Sequence, residues 1–332
     1  MRTYPIKFNP ILKEKIWGGQ KLTSRYRKGV HDGPVGESWE ISGVNDNISK
    51  VGNGYYQGMS LKELQRNFTT DFLGSRNYER FGDDFPLLIK FLDASKDLSI
   101  QVHPDDEMAR RIHGGYGKTE MWYVMDHDEE ASVIMGMNEE AEQLPLSGLE
   151  SSKVESLFNR QKVKKGQMFS IPAGMVHALG AGTVVAEIQQ TSDITYRIYD
   201  WDRKGPDGNT RELHTALARQ AVKDPEGAGR IDFKTRINKP AKAVSNTFFT
   251  TSVLDIEHKY LRNLRDLDSF VIYMCVEGRA SVTVDNYTEI LNAGETVLLP
   301  ANSNEAMFYA PKARLLEVYV DSTMASPIAQ AA

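Results

Sequence analysis

Leu98-Ser99-Ile100-Gln101-Val102-His103-Pro104 alternates strictly between apolar and polar side chains. A β-strand has a side-chain period of two, so Ser99, Gln101 and His103 share one face while Leu98, Ile100 and Val102 share the other. The apolar face has packing to do. The polar face is the unusual one, because Ser, Gln and His turned into a core cost free energy unless each group finds a partner.

Two later segments offer partners. Gly117-Lys118-Thr119-Glu120 runs into Met121-Trp122-Tyr123-Val124, a second strand with a carboxylate at its mouth. Further on, Gly166-Gln167-Met168-Phe169-Ser170-Ile171-Pro172-Ala173-Gly174-Met175-Val176-His177 sets Gly, Pro, Gly and His in an order that resembles the second signature of the cupin β-barrel. There a hairpin delivers a histidine to a metal inside the barrel, and Gln101-x-His103 with Glu120 takes the part of the first signature. The resemblance implies a ligand set of Gln101, His103, Glu120 and His177. Imidazole nitrogen and carboxylate oxygen suit a borderline divalent ion, zinc first. One zinc per chain, with Lewis acidity and room for substrate oxygens, is the expected cofactor.

Gln101-Val102-His103-Pro104-Asp105, Lys118-x-Glu120-x-Trp122-Tyr123, Pro172-Ala173-Gly174-x-x-His177 and Ser192-Asp193-Ile194-Thr195-Tyr196-Arg197 together resemble the class I mannose-6-phosphate isomerases, in the order and loop lengths of their shorter bacterial branch. The likeness spans most of the chain and is tightest between Lys90 and Arg203. It implies a zinc-dependent aldose–ketose isomerase that interconverts mannose 6-phosphate and fructose 6-phosphate through a cis-enediol. It also implies roles. Gln101, His103, Glu120 and His177 hold the metal, and Arg197, Lys118 and Asp193 are the catalytic candidates. Ser99 and Lys90 fall at or near the substrate, and Arg203 falls where longer relatives carry a lysine thought to face the phosphate. One departure stands out: Gly117 occupies a place where many relatives have a histidine, so no histidine base is available there.

The chain has 332 residues, 40% hydrophobic and 26% charged, which describes a globular protein with two domains as the prior. A net charge of −5 argues against nucleic acid or an anionic membrane as main partner, and the resemblance implies a small sugar phosphate instead. The one cysteine, Cys275, excludes an internal disulfide and fits a reducing compartment. Met1-Arg2-Thr3-Tyr4-Pro5-Ile6-Lys7 carries no apolar core of signal-peptide length, so the expected location is cytoplasmic.

The expected fold is mainly β with helical insertions: two cupin-like β-barrel (jelly-roll) domains, the first carrying the metal. Residues 1–235 form the catalytic domain, 236–324 a metal-free second one, and 325–332 a flexible tail. Insertions are expected at about 60–82 and 139–161. Ser60 with Glu63 has the spacing of a capping box, and Pro104-Asp105-Asp106-Glu107 to Arg111 has the acidic-first, basic-last order of a short helix. Lys90 interrupts the apolar run Phe85 to Leu92, so it either points into the barrel, where it needs an anion, or snorkels to the surface or pairs with an internal carboxylate. From Lys239 on the pattern repeats. Gly294 to Ala306 aligns with Gly166 to Ala178 without a gap, with Glu305 at the His177 position, Asn302 at that of Gly174, and Phe270 where Glu120 stands. The repeat keeps the scaffold and drops the ligands.

Two other classes fit a cupin: a metal oxygenase and a non-catalytic sugar-phosphate-binding protein. Lys90, Lys118, Asp193, Arg197 and Arg203 favour the isomerase. An oxygenase of neutral substrates has little use for so many charges, whereas a sugar phosphate needs them.

Overall fold

The computed structural model describes residues 1–149, 151–205, 208–321 and 323–324, so the tail expected at 325–332 lies outside the described residues. The chain is mainly β with short helices between the strands. It falls into two compact units: 12–39 with 88–231, and 1–11 with 40–87 and the chain from Asp232 on. Residues 1–11 and 40–87, expected in the first domain, pack with the C-terminal portion instead. The reason is apolar surface. Helix Leu61–Leu73, opened by the Ser60–Glu63 capping box, buries Leu61, Leu64, Phe72 and Leu73, and Phe85 meets Phe270 at 4.8 Å between ring centroids. Ile6 pairs with Leu298 in the same unit.

The first unit holds two open sheets. The larger runs Ile11–Gly19, Val35–Ile41, Leu87–Ala94, Thr183–Gln190, Glu120–His127, Met168–Ile171 and Gly229–Ile231 in spatial order. The smaller runs Tyr196–Tyr199, Ile100–Val102, His177–Leu179, Ser132–Met137 and Phe158–Lys162. Their facing sides share a core that includes Trp17, Leu92, Trp122, Val133, Phe169 and Leu179. The far side of the smaller sheet is covered by the helices: Ile100, Val102 and Val176 pack with Met108, Val154 and Ala218. Ile100 and Val102 thus face the helices while Gln101 and His103 face inward, as the alternation requires. Leu98 breaks the pattern. The strand begins only at Ile100, and Leu98 joins the core between the sheets.

Helix Asp106–His113 has Asp105 as its N-cap, whose side chain accepts from Met108 N–H. The insertion at 139–161 contains helices Glu139–Gln143 and Ser151–Leu157, and from Phe158 it continues as an edge strand. A short helix spans Thr215–Ala221.

In the second unit, Thr250–Asn263, Glu305–Tyr319 and Val271–Val284 form the centre of one sheet. Its register corrects the repeat alignment. Val271 lies opposite Leu299, as Glu120 lies opposite Ile171, so Val271 rather than Phe270 takes the Glu120 position. The residue-by-residue alignment was one place out. By the same register Tyr273 faces Glu317 as Trp122 faces Glu187. Glu317 is buried, accepts the Tyr273 hydroxyl at 2.7 Å and takes Arg262 Nε at 2.9 Å and Nη2 at 3.1 Å. Glu305 opens its strand as His177 does, and is exposed.

Candidate metal centre

Three ligand-bearing side chains come from three loops of the first unit. His103 follows the strand Ile100–Val102, Glu120 opens the strand Glu120–His127, and His177 opens the strand His177–Leu179. Glu120 Oε1 lies 3.2 Å from His177 Nε2, and Oε2 lies 3.6 Å from His103 Nε2. One donor atom from each of these residues fits within a 4.8 Å span. Gln101 Nε2 approaches His177 Nε2 to 3.4 Å, so the amide borders the same point.

The outer ring nitrogens are anchored: His103 Nδ1 to Ile194 O and His177 Nδ1 to Met175 O, both at 2.9 Å. A proton on each Nδ1 leaves the Nε2 lone pairs aimed inward, the arrangement a metal-ligating histidine adopts. The residues are almost wholly buried, yet His103 Nε2 and both Glu120 oxygens have no hydrogen-bond partner. Unsatisfied buried groups are expensive. A cation placed among them supplies what is missing, and the nitrogen–oxygen donor set fits a borderline divalent ion. Electrostatics keep the donors in ligand form. Burial, then the Lys118 charge, pushes His103 well below the usual imidazole range. Burial pushes Glu120 up, but Lys118, whose Nζ is 3.3 Å away, with His103 and His177, holds it well below the usual carboxylate range.

A cavity of about 260 Å³ adjoins this cluster. Its wall includes Lys90, Ser99, Gln101, Lys118, Asp193 and Arg197, so those expected site residues share one space. Ser99 donates to Gln101 Oε1 at 3.3 Å. Lys90 is buried with Nζ 3.2 Å from Glu187 Oε1, and burial is outweighed by Glu187 and Glu37 so that its affinity for the proton rises. Arg197 Nη1 donates to Glu212 O at 2.8 Å, while its buried Nε has no partner. Arg203 does not line the cavity: it donates to Asp97 O and to the Asp200 carboxylate.

Sequence reading missed three members. Glu187 sits in the wall, accepts Trp122 Nε1 at 2.7 Å, and is raised by burial and by the Glu120 charge. Its signal was the one applied to Lys90, a lone charge in an apolar strand. Glu37 also lines the wall. Burial alone would raise it, but Lys90 and Lys15 bring it to about 2. Arg211 lines the cavity beside Arg197, and nothing in its local sequence marked it.

The structure also explains Gly117. A Cβ there would lie 2.6 Å from Asp105 C and from Asp106 N, so a histidine cannot be fitted without displacing the start of the preceding helix Asp106–His113.

The chain matches the family model described as phosphomannose isomerase type I, catalytic domain, over residues 6–157, and that of the mannose-6-phosphate isomerase cupin domain over 239–320. It is 34% identical to the mannose-6-phosphate isomerase ManA of Bacillus subtilis, covering 92% of this chain and 96% of that protein. It is 32% identical to the mannose-6-phosphate isomerase of Streptococcus mutans, covering 89% and 92%. Among solved structures, the mannose 6-phosphate isomerase of Bacillus subtilis superposes with a TM-score of 0.83 at 35% identity, over 95% of this chain and 99% of that one. A mannose 6-phosphate isomerase bound with zinc and yttrium shares the fold, with a TM-score of 0.75 at 18% identity over 96% and 99%.

Proposed function

The chain belongs to the type I phosphomannose isomerases, and from that premise we propose that it interconverts mannose 6-phosphate and fructose 6-phosphate through a cis-enediol, with one zinc ion held by Gln101, His103, Glu120 and His177. The observation that carries the zinc assignment is the set of buried, unpartnered atoms on His103 and Glu120 converging with His177. The zinc-bound isomerase of the same fold supports that choice of metal. When bound, zinc supplies Lewis acidity for the negative charge that builds on the two substrate oxygens.

The side chains do the rest. Lys118 Nζ and the Asp193 carboxylate are the polar groups at the reacting end, within the cavity where a proton must pass between C1 and C2. Arg197, with an unpartnered Nε, offers a fixed positive charge to the enediolate. Ser99 and Lys90 meet the sugar. Arg211 replaces Arg203 as the phosphate-facing cation, because Arg211 lines the cavity and Arg203 does not. Binding energy from that remote phosphate positions the reacting carbons. The first unit is then the catalytic cupin domain and the second a metal-free one, acting in the cytoplasm.

A coupled assay for fructose 6-phosphate formed from mannose 6-phosphate tests this. Turnover should vanish with chelator and return with zinc. Turnover indifferent to chelation refutes the metal role. Restoration by iron with oxygen uptake identifies an oxygenase, and tight sugar-phosphate binding without turnover identifies a binding protein.

A further inference from the structure

His103, Glu120 and His177 come from three separate segments, and His103 Nε2 and both Glu120 oxygens have no hydrogen-bond partner. Preorganised ligands need outer partners.

The structure supplies a relay between the three loops. Asp105 already caps its helix through Met108 N–H, which leaves the Asp106 carboxylate free for other work. Asp106 Oδ1 accepts Gly117 N–H at 2.8 Å and Gln190 Nε2 at 2.9 Å. The other end of the Gln190 amide, Oε1, accepts Thr119 N–H at 2.8 Å, next to Glu120. Thr119 Oγ1 in turn accepts Ala173 N–H at 3.2 Å, in the hairpin that ends at His177. A chain of hydrogen bonds therefore runs from the helix after His103, through the strand end before Glu120, to the loop before His177. Backbone bonds reinforce it: Lys118 N–H to Pro104 O at 3.0 Å and Gly174 N–H to His103 O at 2.9 Å. The close approach at Gly117 is what lets its N–H reach Asp106.

We infer that Gln190, spanning Asp106 and Thr119 with the two ends of one buried amide, is a positioning residue that sets the spacing of the three metal-ligand loops before the ion binds. It touches neither metal nor substrate. An amide is suited to the post because it must donate at one end and accept at the other, which neither Glu nor Leu can do. The inference rests on the zinc assignment above.

The test is zinc affinity, by competition with a chromophoric chelator, together with the rate of zinc loss, on the full chain. Gln190→Ala should weaken zinc about 10–100-fold. Thr119→Val should weaken it about 10-fold, and Thr119→Ser should restore it. The thermal transition of the metal-free Thr119→Val chain should stay near that of the parent, which a purely structural role would not allow. Native zinc affinity in folded Gln190→Ala, or Thr119→Ser behaving as Thr119→Val, overturns the inference while leaving the zinc site standing. A parent chain without zinc affinity overturns both.

Discussion

The two β-rich units use the same register around a buried glutamate and finish it differently. In the first, Glu187 lies opposite Trp122 and beside Lys90, and the neighbouring Glu120 oxygens and His103 Nε2 are left without hydrogen-bond partners. In the second, Glu317 lies opposite Tyr273 and is completed by that hydroxyl and two nitrogens of Arg262. At the Glu120 position stands Val271, and at the His177 position the exposed Glu305. A buried carboxylate and imidazole that converge without hydrogen-bond partners mark where a cation belongs, whereas a glutamate completed by its own neighbours marks structure. One scaffold thus carries both outcomes, and the choice is made by a few side chains at the strand ends.

The largest expected effect lies at the unsatisfied end. His103→Ala and His177→Ala should each lose bound zinc and lower kcat by roughly three orders of magnitude or more, since the transition-state charge loses its cation. Metal analysis with steady-state kinetics checks this, and a folded variant with a full zinc complement breaks the contrast between the units.

Arg197 comes next. Burial and the nearby Arg211 charge lower its affinity for the proton, with Asp200 acting the other way, and its Nη1 is held by the Glu212 carbonyl while Nε stays unpartnered. Arg197→Ala should keep zinc and its melting temperature while kcat falls by roughly two to three orders of magnitude. A lower melting temperature with near-normal kcat at a permissive temperature would make it a loop brace on Glu212 instead.

How much of this was legible follows from the kind of signal each residue leaves. Gln101 and His103 stood out because a strand's period is two, and polar residues at that period on a buried face are costly. Lys90 stood out as a charge in an apolar run, and Glu187 carried the same mark. Arg211 could not be read, because it belongs to a turn-rich segment and reaches the cavity only through the tertiary fold. Arg203 was misplaced for the converse reason: two arginines flank Asp200, and only packing decides which one turns inward. The grouping of 1–11 and 40–87 with the C-terminal unit was equally hidden, since alternating strands and an amphipathic helix state which face is buried but not against what. Phe270 was one residue off because strand register is fixed by pairing and not by sequence likeness.

A smaller effect separates structure from catalysis in the second unit. Glu317→Gln replaces a buried carboxylate that takes Arg262 and Tyr273. Arg262 keeps about a quarter of its side-chain surface exposed, its relative exposure being 26%, so the loss should be modest for a buried pair. About 2 kcal/mol is expected from denaturant unfolding of the zinc-loaded chain. Its kcat and zinc content should stay at the parent values. A drop in zinc content would mean that the second unit supports the centre and is not merely its satisfied counterpart.

The smallest effect is the sharpest check on the comparison. Glu305→His restores, at its place in the repeat, the residue type that His177 provides in the first unit. Glu305 is exposed, and its nearest cation, Arg265 Nη2, lies 3.9 Å away on a side chain that is itself exposed. Exposed pairs of this kind contribute little, so stability should change by no more than about 0.5 kcal/mol. Zinc should remain at one ion per chain, because a lone imidazole at the edge of the unit finds Val271 where a carboxylate would have to be, and an isolated exposed histidine cannot compete for zinc with the buried His103–Glu120–His177 cluster. Two tightly bound zinc ions per chain in Glu305→His would show that a single substitution recovers the site, and that the second unit retains ligands which its register does not reveal.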